Sequence, residues 1–252
     1  MYAMDHYGYD HSENNGLVIN RINLFLAQMK KIVVIVAGGN GSRMNTGTPK
    51  QFLLLNGKPV LYYTIHTFIK AYAGIEIVLV LPKTHLAEGE QLINSFFKVN
   101  TIQIVEGGET RFNSVQNGLK NIKDECVVFV HDGVRCLLTV DLIHRCYETA
   151  LEYGSAIPVI DSKDSVRILK EDSNEALDRT MIKLVQTPQT FKSSFLLPAF
   201  KVAYDSSFTD EASVVEAAGR SIHLVKGEEN NIKITQPIDL VIAAEILAAS
   251  GF

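Results

Sequence analysis

Gly38, Gly39 and Gly41 lie close together in the sequence, followed by Arg43 and, seven positions later, by Lys50. Successive backbone N–H groups in a glycine-rich turn can cradle a phosphate. Two fixed cations beside such a cradle suit a chain of phosphates whose charge must be stabilised while a bond between them breaks. The segment is not a P-loop, because no Gly-Lys-Ser/Thr closes it. Nor is it the dinucleotide fingerprint, because Met44 stands where the third glycine belongs. A tight turn with two solvated cations is the alternative, and Arg43 together with Pro49-Lys50 disfavours it.

Four further segments carry chemistry-bearing residues. In Gly107-Gly108-Glu109-Thr110-Arg111-Phe112-Asn113-Ser114-Val115, glycines would let a flat base lie against the backbone and Ser114 could bond its edge. The same residues also read as a strand turn before a capped helix, with Arg111 as a structural pin. Val130-His131-Asp132-Gly133-Val134-Arg135 puts a carboxylate and a guanidinium at a strand end. These could position a ribose, a metal or a phosphate, and His131 reads as a packed strand-end residue rather than a base. Asp164-Ser165-Val166-Arg167 and Asp178-Arg179 read, on residues alone, as solvated charges. Thr209-Asp210-Glu211-Ala212-Ser213 reads as a partial capping box with Thr209 as N-cap, lacking the reciprocal glutamate.

The elements that must hold these residues alternate. Buried β-branched or apolar runs at 32–36, 75–81, 101–105, 126–130 and 156–160, with a shorter one at 222–225, read as strands. Helical spacing follows at 60–72, 86–97, 110–122, 140–152, 195–204, 210–218 and 237–249, with Thr110 as an N-cap. Such alternation predicts an α/β fold: a doubly wound, mostly parallel sheet with helices on both faces. The pattern weakens over about 161–183, which reads as an inserted arm. In such sheets ligands bind at the carboxyl ends of the strands, where nearly all the segments above lie.

The chain has 252 residues, 46% apolar and 21% charged, with a net charge of −4. That composition excludes a disordered chain, and a mildly acidic balance argues against a nucleic-acid partner. No stretch approaches the roughly 18 uncharged apolar residues of a membrane span. Cys126, Cys136 and Cys146 show no C-x-x-C or Cys/His pattern and read as free thiols in a reducing cytosol. Residues 1–29 lack apolar periodicity and a cleavage site, and read as a flexible extension. Residues 30–252 read as a single domain.

Ala37-Gly38-Gly39-x-Gly41-Ser42-Arg43-Met44 followed by Pro49-Lys50-Gln51-Phe52 resembles the loop of the sugar- and polyol-phosphate cytidylyltransferases. The likeness continues through Gly-Gly-x-x-Arg-x-x-Ser-Val, Gln186-Thr187-Pro188-Gln189-Thr190-Phe191, Thr209–Ser213 and Asn231-Ile232-Lys233-Ile234-Thr235, from about Lys31 to Ala248. The family's His-Asp-Ala-Ala-Arg-Pro appears here with Gly133-Val134 for the alanines and Cys136 for the proline. The resemblance implies a Rossmann-like nucleotidyltransferase with Arg43, Lys50 and Lys233 as the catalytic cations. Nucleotide contacts would come from Ala37, Gly38, Gly39, Gly41, Ser42, Gly108, Glu109, Ser114 and Asp132. Acceptor contacts would come from Asp132, Arg135, Thr209 and Lys233, and, from the arm of a neighbouring subunit, Ser165 and Arg179. It implies a homodimer that takes CTP and a polyol phosphate, with Mg²⁺ or another divalent cation held by the phosphates rather than by protein side chains. The implied reaction is CMP transfer to 2-C-methyl-D-erythritol 4-phosphate in non-mevalonate isoprenoid synthesis. Ribitol 5-phosphate is the alternative acceptor.

Overall fold

A computed structural model of the protein describes residues 29–38, 47–97 and 100–249. The expected N-terminal extension therefore lies, but for Met29, outside the described residues. In chain order the elements are β1 (Lys30–Val36), β2 (Leu54–Leu55), β3 (Lys58–Pro59), α1 (Val60–Ala71), β4 (Glu76–Leu81), α2 (Leu86–Phe96), β5 (Ile102–Glu106) and α3 (Arg111–Leu119). They continue with β6 (Cys126–Asp132), α4 (Val140–Tyr153), β7 (Ser155–Asp161), β8 (Val166–Leu169), β9 (Asn174–Leu177), β10 (Lys183–Val185), β11 (Gln189–Lys192), α5 (Ser193–Ala199), α6 (Glu211–Ala217), β12 (Leu224–Lys226) and α7 (Pro237–Ala249).

The main sheet runs β10-β7-β11-β6-β1-β4-β5, with β12 also on β7. β6, β1, β4 and β5 are mutually parallel, and β11 enters antiparallel between β6 and β7. Alternation along β1 sorts the core into two layers. Val33 and Ile35 face α1, α2, α4 and α7, whereas Ile32 and Val34 face α3, α5 and α6. This is the expected doubly wound, mostly parallel α/β architecture.

Several local expectations are corrected. β10 and β11 have no counterpart in the periodicity, because each is short and Gln186-Thr187-Pro188 interrupts them. Val185 pairs with Val159 while Thr190 pairs with Ala156, so two extra residues bulge out between them. α5 stops at Ala199 rather than running to Tyr204. Pro198 lacks an N–H for the helical ladder, and Phe200, Tyr204 and Phe208 gather around the Phe112 ring instead. The cap of α6 is Asp210, not Thr209, and its box is complete: Ser213 N–H donates to the Asp210 carboxylate at 2.9 Å and Asp210 N–H to Ser213 Oγ at 3.2 Å. The arm contains the antiparallel hairpin β8–β9.

Register is what assembles the site. Val36 at the end of β1 lies between Val80 of β4 and Asp132 of β6, and Leu81 lies beside Glu106 of β5. The turns after β1, β5 and β6 therefore emerge side by side.

Candidate active site

These three turns, together with Lys50 and Lys233, enclose a cavity of about 240 Å³ at the carboxyl ends of the parallel strands. One wall is the start of α3. Its cap, Thr110, accepts from Asn113 N–H at 3.1 Å. Ser114 Oγ accepts from Gly108 N–H at 3.1 Å and donates to the Thr110 carbonyl at 2.9 Å. Gly108 is required by space, since a Cβ there would lie 2.3 Å from Asn113 Cβ. The residues that open α3, Thr110, Arg111 and Ser114, line the cavity together with Gly108 and Glu109, so the positive dipole end of the helix lies at its edge.

The opposite wall holds Lys50, first residue of a short 3₁₀ turn (Lys50–Phe52). Gln51 anchors that turn: it is buried, and its amide donates to the Ala37 carbonyl at 2.9 Å.

Asp132 closes the floor, buried among three cations. Arg111 Nη2 lies 3.2 Å from Oδ1, Lys233 Nζ 2.9 Å from Oδ2 and Arg135 Nε 3.6 Å from Oδ2. Burial alone would raise the carboxyl; the charges of Arg111, Lys233 and Arg135 outweigh it and hold the group well below the usual carboxylate range. Arg111 also grips the buried Glu211 on α6 through both terminal guanidinium nitrogens, Nη1 and Nη2. Burial opposes the Arg111 charge, and the two carboxylates overcome that opposition. Arg111 is therefore a pin between β6, α3 and α6.

His131 is fully buried and, as expected, packed: its ring meets Phe68 edge-on. Burial lowers its pKa to about 4, so it is neutral at pH 7. The three cysteines are free and buried, and burial pushes their thiols up, Cys126 to about 11 and Cys136 and Cys146 to about 12. None of them is a nucleophile at neutral pH.

Of the residues singled out in the sequence, Ala37, Gly38, Lys50, Gly108, Glu109, Ser114, Asp132 and Lys233 line this one cavity. Arg135 stands behind Asp132, donating to the Asn231 carbonyl at 2.8 Å. Thr209 is exposed before α6 and does not line the cavity. Gly39, Gly41, Ser42 and Arg43 lie outside the described residues. Ser165 and Arg179 are on the exposed arm, away from this chain's own cavity; Arg179 lines a separate basic recess with Lys163 and Lys183 and donates to the Lys163 carbonyl at 2.9 Å. Glu211 and Gln51 stand in the sequence motifs, which give them no role. A signal for Glu211 existed: it shares the buried face of α6 with Val214 and Val215, at helical spacing.

A mixed, mainly parallel sheet with this cavity at its strand ends has the architecture of a Rossmann-like nucleotidyltransferase, and comparison with known proteins narrows the class. The family model described as IspD: 2-C-methyl-D-erythritol 4-phosphate cytidylyltransferase matches residues 31–249. The chain is 46% identical over 220 residues to 2-C-methyl-D-erythritol 4-phosphate cytidylyltransferase of Bacteroides thetaiotaomicron, covering 87% of this chain and 100% of the relative. It is 46% identical over 219 residues to the protein of the same name from Phocaeicola vulgatus, with the same coverage. The crystal structure of 4-diphosphocytidyl-2C-methyl-D-erythritol synthase from Anaerococcus prevotii superposes with a TM-score of 0.78 at 27% identity, over 90% of this chain and 99% of that one. The chain belongs to the 2-C-methyl-D-erythritol 4-phosphate cytidylyltransferase family.

Proposed function

We propose that this protein transfers CMP from CTP to 2-C-methyl-D-erythritol 4-phosphate and releases pyrophosphate. The observation that carries this reading is the meeting of Lys50, Lys233, Asp132 and the α3 N-terminus in one cavity, within a chain of this family. An acceptor phosphate oxygen forms a bond to the α-phosphorus of CTP. The bond from that phosphorus to the bridging oxygen breaks, and pyrophosphate departs with the electron pair. A phosphate monoester is an anion near neutral pH, so the attack needs no protein nucleophile or general base. That agrees with a neutral, doubly bonded His131 and with protonated thiols.

The side chains neutralise and align. Lys50 faces the triphosphate, and Lys233 sits between the acceptor and the α-phosphate. The cavity is lined by Lys50, Arg111 and Lys233 against Asp132 and Glu109, a small positive excess that favours an anionic ligand despite the acidic chain. Glycines and Ser114 at the α3 wall would take the cytosine, and Glu109 its rim.

Mg²⁺ or another divalent cation belongs to the same reading. Asp132 is already compensated by three cations, and no group of three or more acidic, His or Cys side chains suited to a metal occurs among the described residues. Such an ion would be held by the phosphate oxygens of the substrates, as is usual for Mg²⁺. When bound, it would neutralise charge on the departing pyrophosphate.

The arm supports a homodimer in which Ser165 and Arg179 reach the acceptor phosphate of the neighbouring subunit. An Arg fork suits the two oxygens of a monoester. Free, buried thiols support a cytoplasmic location. Phosphorus NMR of the product tests the transfer itself: a new pair of coupled diphosphate signals, formed only with both substrates, is expected. Hydrolysis of CTP to CMP without that diphosphate would contradict the reading.

A further inference from the structure

Gln186, Thr187 and Asn231 are almost completely buried, yet none lines the cavity. Thr187 and Asn231 form a closed hydrogen-bonded ring with the end of β6. The Thr187 hydroxyl accepts from Asp132 N–H at 3.1 Å and donates to His131 Nδ1 at 3.0 Å. His131 Nε2 faces the Arg135 carbonyl at 3.1 Å. A carbonyl only accepts, so Nε2 holds the ring proton and Nδ1 is the bare acceptor that Thr187 meets. Arg135 Nη1 donates to the Asn231 carbonyl at 2.8 Å, and Asn231 Nδ2 donates to the Thr187 carbonyl at 2.8 Å, closing the ring.

Gln186 adds a second tie. Its amide donates to the Glu228 carbonyl at 2.8 Å and accepts from Glu228 N–H at 3.1 Å. Ile234 N–H donates to the Val134 carbonyl at 3.0 Å. The segment carrying Lys233 is thus fixed on both sides of that residue, while its ammonium reaches out to Asp132. Three stretches remote in sequence meet here: the end of β6, the bulge between β10 and β11, and residues 228–234. The groups they deliver to the cavity are Asp132 and Lys233.

We infer that Gln186, Thr187 and Asn231 are positioning residues, which hold the Asp132 carboxylate and the Lys233 ammonium in register for the transfer step. The inference rests on the reading that Asp132 and Lys233 act on the reacting phosphates. Misplacing such groups by about 1 Å can cost about 10²-fold in rate. The ring has little tolerance, because each buried member that loses a partner is left unsatisfied.

Thr187→Val keeps the shape and deletes the hydroxyl, whereas Thr187→Ser keeps the hydroxyl. Steady-state kinetics with CTP and 2-C-methyl-D-erythritol 4-phosphate, beside Asp132→Asn and Lys233→Ala, separate the possibilities. The expected result is a kcat loss of about 10- to 100-fold for Thr187→Val with KM for CTP within about threefold, and near-normal kcat for Thr187→Ser. In the Asp132→Asn background Thr187→Val should cost less than about twofold, because it acts through that residue. Unchanged kcat in Thr187→Val, equal losses in the Ser and Val variants, or full additivity with Asp132→Asn would each overturn the inference. If Asp132→Asn and Lys233→Ala themselves turn over normally, it is the functional reading that fails. Should Thr187→Val not fold, Gln186→Met frees the 228–234 segment: a kcat loss at unchanged CTP KM supports the inference, and unchanged kcat overturns it.

Discussion

At the scale of single residues, the site is an arrangement of charges that would be costly apart. Asp132 is buried, and only Arg111, Lys233 and Arg135 keep it ionised. Lys50 and Lys233 are the lysines that line the cavity, and removing one preorganised electrostatic partner typically costs about 10²–10³-fold in rate. Lys50→Ala and Lys233→Ala are each expected to lower kcat by that order, Lys50→Ala with the melting temperature preserved and Lys233→Ala with a lowered one, because buried Asp132 then keeps only two cations; near-normal turnover in either would remove it from the catalytic set. His131 gives a pH dependence of stability. Its folded pKa is about 4, below its ordinary 6.5, chiefly through burial, so the unfolded chain binds the extra proton between those values. Stability is complete above about pH 6.5 and falls as pH drops towards 4, by up to about 3 kcal/mol. Asp132, also lowered, adds a loss below about pH 4, where the unfolded carboxyl takes up its proton. Urea unfolding at pH 7.5, 5.5 and 4.5 measures this, and a free energy unchanged between pH 7.5 and 5.5 would contradict the assignment.

At the scale of elements, α3 must lie close against the sheet for its first turn to reach the cavity. Gly118 allows this: a Cβ there would lie 2.6 Å from Val34 Cγ1 and 3.0 Å from Val80 Cγ2. Helix propensity favours alanine by about 1 kcal/mol, but overpacking a tight core costs about 1–3 kcal/mol, and both valines are rotamerically stiff strand residues. Gly118→Ala is therefore expected to lower the melting temperature and to weaken CTP binding by calorimetry, since Gly108 and Ser114 move with α3. A more stable variant with normal affinity would show that the approach is not needed. The sequence made some of these elements plain and hid others. β1, β4 and β6 are continuous apolar runs with both faces buried, and a local pattern suffices to find them. β11 is a short Gln-Thr-Phe-Lys whose identity as a strand comes from its neighbours β6 and β7, remote in the chain. The glycine turns of the site were legible for the same reason as β1, being local. The Arg111–Glu211 pair was not, because 100 residues separate its members. Thr209 was misread as the cap because Ser213 can replace glutamate in the box, a substitution the motif does not advertise.

At the scale of the whole molecule, the arm is the part that its own chain does not explain. Leu169 is 81% and Met181 79% exposed, with Ile168, Leu184 and Val185 also open to solvent. Apolar exposure along a projecting arm suits a second subunit. Sedimentation equilibrium is expected to give twice the chain mass, and the double variant Leu169→Asp/Met181→Asp to give monomers with a raised KM for the acceptor. Dimers untouched by that variant would move the interface elsewhere. Pyrophosphate release by the intact protein, with CTP and Mg²⁺ and either 2-C-methyl-D-erythritol 4-phosphate or ribitol 5-phosphate, tests CMP transfer itself. The expected result is CTP-dependent release with 2-C-methyl-D-erythritol 4-phosphate and much slower release with ribitol 5-phosphate. No release with either acceptor, or faster release with ribitol 5-phosphate, would contradict CMP transfer to 2-C-methyl-D-erythritol 4-phosphate.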